Sequence, residues 1–346
     1  MNVSAPTSER WFTPGLSVLK GYSMNTEIRE TLELIDQLAK GRAEVDKLIG
    51  EIRKLLAIAP KSIASIYEPG VIVYRATRHH NSVPNRIEEI WYPPVERTPW
   101  NRANRPQQPM FYCTSDPDCA LREIGADIGD TVVFATWRTT GKMLLHDLGF
   151  SSQVLSRAGS RRRLSKHHRK FYRKQLDADG KAVRDFFAFA FTEPSPQDYR
   201  LTVAIAEAHS DPDFAGILYP SVAKAANTDN LALLPSFVNS GLSLIKAQVF
   251  QVDQKDLYGR VSGNIICDLE RVNEDGDLSW SYGGKSENLA PKAGKQIRTG
   301  DTLRVQTSGD VEIDGMRYQL EPGYSIRVEG NTVIVRDVQN RVINPL

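Results

Sequence analysis

The spacing of apolar residues changes period along this chain, and no fold of a single class accommodates the change. From Asn25 to Ala57, the residues Ile28, Leu32, Ile35, Leu38, Val45, Leu48, Ile49, Ile52 and Leu55 recur at three- and four-residue intervals with charges between them. That period predicts one long helix or a helical pair. Gly41 weakens the pattern midway and Pro60 ends it, so the first 60 residues read as a helical appendage. The next apolar run, "VIVYRA" at 71–76, alternates instead: Val71, Val73 and Arg75 share one face of a strand, and Ile72, Tyr74 and Ala76 the other. After about residue 255, short alternating segments separated by glycine turns predict a small β module over 256–346. The expected class is α+β: helices over 1–60, a mixed β core with helices over 61–255, then the β module.

The middle of the chain carries the polar features. Between His79 and Pro109 lie Pro84, Pro93, Pro94, Pro99 and Pro106 with no sustained periodicity, which predicts a long loop. Long ordered loops are usually functional. Met110 to Thr114 reads as a short strand, and Asp116 followed by Pro117 as an N-cap with proline at the first helical position. The helix is expected to carry Ala120, Leu121, Ile124 and Ile128 on one stripe, with Glu123 at the edge, where a carboxylate can lean into a pocket mouth. Thr131 to Thr136 is a further strand candidate, Asp185 to Phe191 a buried run in helix or strand, and Thr202 to His209 likewise. In "GILYPSVAKAANTDNLALLP" (216–235) an apolar run breaks at Pro220, presents Ser221 and continues through small residues to Asn227.

Charge is informative locally rather than globally. A net charge of +2 over 346 residues does not by itself point to nucleic acid or a membrane. Residues 157–174, however, hold Arg157, Arg161, Arg162, Arg163, Lys166, Arg169, Lys170, Arg173 and Lys174, with His167 and His168 and no acid. Such a run is either a solvated surface or a dock for phosphates or an acidic protein. Only Phe171 and Tyr172 interleave, a poor stacking platform, so a nonenzymatic nucleic-acid-binding protein stands as the competing class. Cys113, Cys119 and Cys267 form no even-numbered framework and no ligand spacing, which fits a reducing compartment and predicts a cytoplasmic protein. Neither a signal-peptide core nor a stretch of about 20 apolar residues is present, so no membrane association is expected.

Four segments in this order, "YRATR", "NRANRPQQPMFYCTSDPDCALREIG", "DYRLTVAIA" and "GILYPSVAKAANTDNLALLP", resemble the RES domain family over roughly residues 66–252. Arg75, Arg102 with Asn104, Tyr112, Glu123 and Ser221 occupy the family's positions, with Asn101 standing where the family has glycine. The resemblance implies a fold similar to ADP-ribosyltransferases. It also implies a toxin of a toxin-antitoxin pair that consumes NAD or transfers its ADP-ribose, with a protein antitoxin as partner. Glu123, Arg75 and Ser221 are then the catalytic candidates. Arg75, Arg102, Asn104, Tyr112, Ser221 and Asn227 are the candidates for contact with NAD.

The residue types suit that chemistry. Breaking the nicotinamide-ribose bond releases a neutral leaving group from a cation, so the demand falls on the oxocarbenium-like ribose, which a carboxylate such as Glu123 stabilises. Arginines such as Arg75 and Arg102 clamp the pyrophosphate through paired hydrogen bonds. Tyr112 offers a face for nicotinamide or ribose, and Ser221 can bind the carboxamide or orient Glu123. No metal is needed, no His, Cys, Asp and Glu cluster has ligand spacing, and the glycine-rich dinucleotide fingerprint is absent. Water or phosphate as acceptor makes a glycohydrolase or phosphorylase; a protein side chain makes an ADP-ribosyltransferase.

Overall fold

The computed structural model describes residues 21–59, 63–79, 83–156, 164, 176–193, 198–224, 226–256, 259–282, 302–304, 309–313, 316–320, 325–329, 332–336 and 342. The basic segment 157–174, apart from Leu164, lies outside the described residues, as does His80. The chain divides into two compact units, 1–287 and 288–346.

Among the described residues the first unit has seven α-helices: α1 (Thr26–Lys40), α2 (Val45–Ile58), α3 (Pro117–Glu123), α4 (Ser152–Ser156), α5 (Ala178–Thr192), α6 (Arg200–Ala208) and α7 (Pro235–Gly241). The periodic stretch 25–57 is a helical pair. Asn25 caps α1 by accepting from Glu27 N–H at 2.8 Å, and Gly41 closes it by donating to Gln37 O at 2.9 Å. Ile28, Leu32, Ile35, Leu48, Ile52 and Leu55 then pack with Phe187 and Phe191 of α5 and Val203 and Ile205 of α6 in one apolar layer. Asp185 to Phe191 therefore falls in a helix, and most of Thr202 to His209 in another.

The sheet has ten strands: β1 (Ala64–Tyr67), β2 (Ile72–Arg78), β3 (Phe111–Thr114), β4 (Thr131–Thr139), β5 (Met143–Asp147), β6 (Gly216–Pro220), β7 (Asp229–Leu233), β8 (Leu242–Lys255), β9 (Val261–Val272) and β10 (Leu278–Tyr282). Their order is β1-β5-β6-β7-β3-β2-β4-β8-β9-β10, antiparallel throughout except for the parallel pair β5 and β6. Alternation assigns the faces. Ile217, Tyr219 and Ala232 enter the helical layer, while Leu218, Leu231 and Leu233 join Val73, Phe111, Trp137 and Val249 on the opposite side. Burial on both faces makes β6 and β7 nearly continuous apolar runs. Gly216 is required where they pass: a Cβ there would lie 2.1 Å from Ala232 O.

The molecule is thus α+β with a mixed ten-stranded sheet. β9 pairs onto β8, from Lys255↔Val261 onward, and β10 pairs onto β9, carrying this sheet to Tyr282. The change in composition near residue 255 therefore falls inside one sheet. The second unit contains β11 (Thr302–Arg304), β12 (Gly309–Ile313), β13 (Met316–Leu320), β14 (Ser325–Glu329) and β15 (Thr332–Arg336). These form an antiparallel sheet β11-β14-β15 and a β12-β13 hairpin. Among the described residues, no helix is long and apolar enough to cross a membrane.

Candidate active site

β2 and β3 pair only at Tyr74↔Thr114, and beyond that point the two strands part. A cleft of about 760 Å³ opens there, walled by the 98–104 loop, α3 and the start of β7. Its charged lining residues are Arg75, Arg78, Arg102 and Glu123, a cationic lining with a single carboxylate. Arg78 is already paired with Asp130 at 2.9 Å and donates to Gly125 O.

Glu123 owes its place to a short helix with two well-defined ends. Asp116 caps α3 by accepting from the N–H groups of Asp118 and Cys119 at 2.9 and 3.2 Å, with Pro117 at the first helical position. The expected stripe through Ile124 and Ile128 is not formed, because the helix ends at Glu123 and Ile128 is exposed. Gly125 at φ +60° turns the chain: its N–H donates to Arg122 O at 2.9 Å, and Ala126 N–H to Leu121 O at 3.1 Å. This left-handed termination outweighs two further apolar positions. Glu123 is consequently the last helical residue, one turn beyond buried Cys119.

Its carboxylate is held by one oxygen. Oε1 accepts from Ser221 Oγ at 2.5 Å and from Asn230 Nδ2 at 2.7 Å, with the Cys119 thiol 3.8 Å away. Ser221 and Asn230 are buried, at 0% and 4% exposure. Glu123 itself is exposed, and among the described residues its Oε2 makes no hydrogen bond. The Ser221 hydroxyl is saturated: it donates to Glu123 and accepts from the Cys119 thiol at 3.0 Å and from Lys224 N–H at 3.2 Å. Burial pushes the Cys119 thiol well above its ordinary pKa, so it serves here as a neutral donor.

Arg75 occupies the gap between the strands. Nη1 donates to Tyr112 O at 2.7 Å, replacing the missing backbone ladder, and the guanidinium carbon lies 5.1 Å from the centre of the Phe111 ring. Nε is buried with no hydrogen-bond partner among the described residues. Burial lowers the Arg75 pKa to about 10, so the group remains cationic at neutral pH.

The remaining sequence-predicted residues divide. Arg102 lines the cleft but gives Nη1 to Phe191 O at 3.2 Å and Nη2 to Glu193 O at 2.8 Å, clamping the carbonyl end of α5. Asn104 is turned into its own loop: Nδ2 donates to Pro99 O and Arg105 O, both at 2.8 Å, and Oδ1 accepts from Tyr112 Oη at 2.6 Å. Tyr112 also receives Ala103 N–H at 3.1 Å, so this pair shapes the wall. Ser221 sits behind Glu123 rather than on the cleft surface, and Asn227 lies outside the lining, its N–H given to Lys224 O at 3.0 Å. Asn230, not Asn227, reaches the carboxylate. Sequence reasoning missed Asn230, Cys119, Tyr199 and Tyr219. The only local signal for Asn230 is an amide that follows Asp229 at the head of a strand otherwise made of leucine and alanine.

Among the described residues, no group of three or more His, Cys, Asp or Glu could hold a metal ion. No curated protein and no solved structure matches the chain. A family model described as the RES domain matches residues 72–253, a span that begins at β2, ends within β8 and contains every residue of the Glu123 network. With more than half its length matched, the chain belongs to the RES domain family, whose ADP-ribosyltransferase-like domains are in general NAD-utilising and toxin-like.

Proposed function

We propose that the protein cleaves the nicotinamide-ribose bond of NAD, as a glycohydrolase or phosphorylase. One observation carries the reading: a single carboxylate, Glu123, is fixed through Oε1 by two neutral donors at the wall of an arginine-lined cleft. In the reaction the bond between the ribose anomeric carbon and the pyridinium nitrogen breaks, and its electron pair stays on nicotinamide, which departs neutral. No acid has to protonate it. The positive charge left on the ribose is met by the Glu123 carboxylate, directly or through a ribose hydroxyl held by Oε2. Ser221 and Asn230 orient the group without neutralising it. An oxygen of water or phosphate then bonds to the anomeric carbon and releases its proton to solvent.

Binding draws on the same cleft. Arg75 keeps a buried Nε–H with no partner among the described residues, a donor that a phosphate oxygen would satisfy. A volume of about 760 Å³ suits a dinucleotide-sized ligand. Tyr112, Tyr199 and Tyr219 supply aromatic surface on the lining.

The test is incubation of purified protein with NAD, with and without inorganic phosphate, and identification of the products by mass spectrometry. Nicotinamide with an equal amount of ADP-ribose identifies a glycohydrolase, and nicotinamide with a phosphorylated ADP-ribose, formed only when phosphate is present, a phosphorylase. Label from NAD appearing on proteins of an added cell extract, with no free ADP-ribose, identifies a transferase. NAD intact under all conditions overturns the reading.

A further inference from the structure

The turn from Ser221 to Thr228 must keep a hydroxyl 2.5 Å from a carboxylate carried by a different element. It is closed by Ser221 N–H to Thr228 O at 2.8 Å and Ala226 N–H to Ser221 O at 2.7 Å. Ala226 sits at φ +60°, a left-handed conformation disfavoured for any residue with a Cβ and retained where surrounding contacts over-determine it.

Lys224 supplies such a contact. Its backbone N–H donates to Ser221 Oγ at 3.2 Å, and its side chain crosses to α3, where Nζ lies 2.5 Å from Asp118 Oδ2 and 3.8 Å from the capping Asp116 Oδ1. The two side chains of the closer pair are 22% and 14% exposed, so the bridge is largely withdrawn from solvent and from screening salt. Asp118 also accepts from Arg122 Nε at 3.2 Å. Burial raises the Asp118 pKa, but the hydrogen bond and charge of Lys224, with that of Arg122, outweigh it and hold the carboxyl below its ordinary range. Asp118 belongs to the same short helix as Glu123. One residue therefore grips both the carrier of Ser221 and the carrier of Glu123.

We propose that Lys224 is a positioning residue for Glu123: through Asp118 it locks the Ser221 turn onto α3, so that the serine hydroxyl meets the carboxylate in register. The proposal rests on the reading of Glu123 as the charge facing the ribosyl cation. Lys224 is not on the cleft lining and acts through its contacts with Ser221 and with α3.

Lys224→Met keeps the apolar stem and removes the cation. kcat for NAD cleavage is expected to fall roughly 10- to 100-fold, the scale of a displaced catalytic group, with KM within about twofold because the arginines lie elsewhere. Lys224→Arg, which retains the cation, is expected to restore kcat to within about threefold of wild type. Asp118→Asn should reproduce the loss, and is read by the same criteria if Lys224→Met does not fold. In a crystal structure of the Lys224→Met protein, or of Asp118→Asn in its place, the Ser221 to Glu123 separation should exceed about 3.5 Å. An unchanged kcat, a rise in KM matching the fall in kcat, failure of arginine to rescue, or an intact Ser221 to Glu123 bond each overturns the tether. Wild-type protein that leaves NAD intact overturns the NAD reading instead, and the Ser221 to Glu123 separation still decides the tether.

Discussion

Replacing Arg75 with methionine should make the protein more stable and a poorer binder of NAD at the same time. In the folded state burial lowers the guanidinium pKa from its ordinary value to about 10, which disfavours the cation by about 3 kcal/mol. Because the folded pKa lies below the ordinary one, the penalty applies at every pH below about 10 and is constant across neutral assay conditions. The bond from Nη1 to Tyr112 O offsets about 1.5 kcal/mol of it. Methionine is unbranched, can follow the arginine stem and can pack on Phe111, and Tyr112 O borders the cleft, where water can replace the lost donor. The net gain is about 1.5 kcal/mol, or a rise in Tm of roughly 3 °C. Loss of charge-assisted bonds to the pyrophosphate should weaken NAD binding by about 1.5–3 kcal/mol, roughly 10- to 150-fold in Kd. Thermal unfolding of the free protein and calorimetric titration with NAD measure the two effects separately. A lower Tm with unaltered NAD affinity would show that Arg75 serves the fold rather than the ligand.

Gly125→Ala should destabilise the first unit by about 1 kcal/mol in urea unfolding, since the position is left-handed and the new Cβ meets nothing closer than Arg78 Nη2 at 3.7 Å. An unchanged midpoint would refute the left-handed termination of α3. His209 is 6% exposed and burial lowers its pKa to about 4, so it is neutral in the fold while the unfolded chain takes up a proton below about 6.5. Its contribution to stability is complete above pH 6.5 and is lost as pH falls toward 4, by up to about 3 kcal/mol, so His209→Leu should flatten the pH profile by that amount. Parallel profiles for the two proteins would contradict the burial of a neutral imidazole.

Much of the site is written locally, and what is not depends on distant pairing. Helical spacing left one long helix or a helical pair, and the pair forms with its break at Gly41, while Asp116-Pro117 marked the start of α3. Alternation in "VIVYRA" put Arg75 on the face of Val73, where the two lie. The end of α3 was misread because Ile124 and Ile128 continue a helical period that a single left-handed glycine stops. Asn230 was missed because only the pairing of β6, β7 and β3 aligns Tyr219, Asn230 and Thr114 in one row. Arg102 looks like a ligand clamp because nothing nearby in sequence shows the carbonyls of Phe191 and Glu193 waiting about 90 residues downstream. Glycine-punctuated strands look the same whether they extend a sheet, as β9 and β10 do, or form a separate module.

The account depends most on the charge of Glu123, and the direct measurement is steady-state NAD consumption by wild-type and Glu123→Gln proteins of matched folding. The glutamine keeps the shape and can still accept from Ser221 and Asn230, so only the negative charge is lost. The expected result is a fall in kcat of about 100-fold or more with a much smaller change in KM, as for removal of one electrostatic contact to the transition state. A folded Glu123→Gln protein that consumes NAD at nearly the wild-type rate would contradict it.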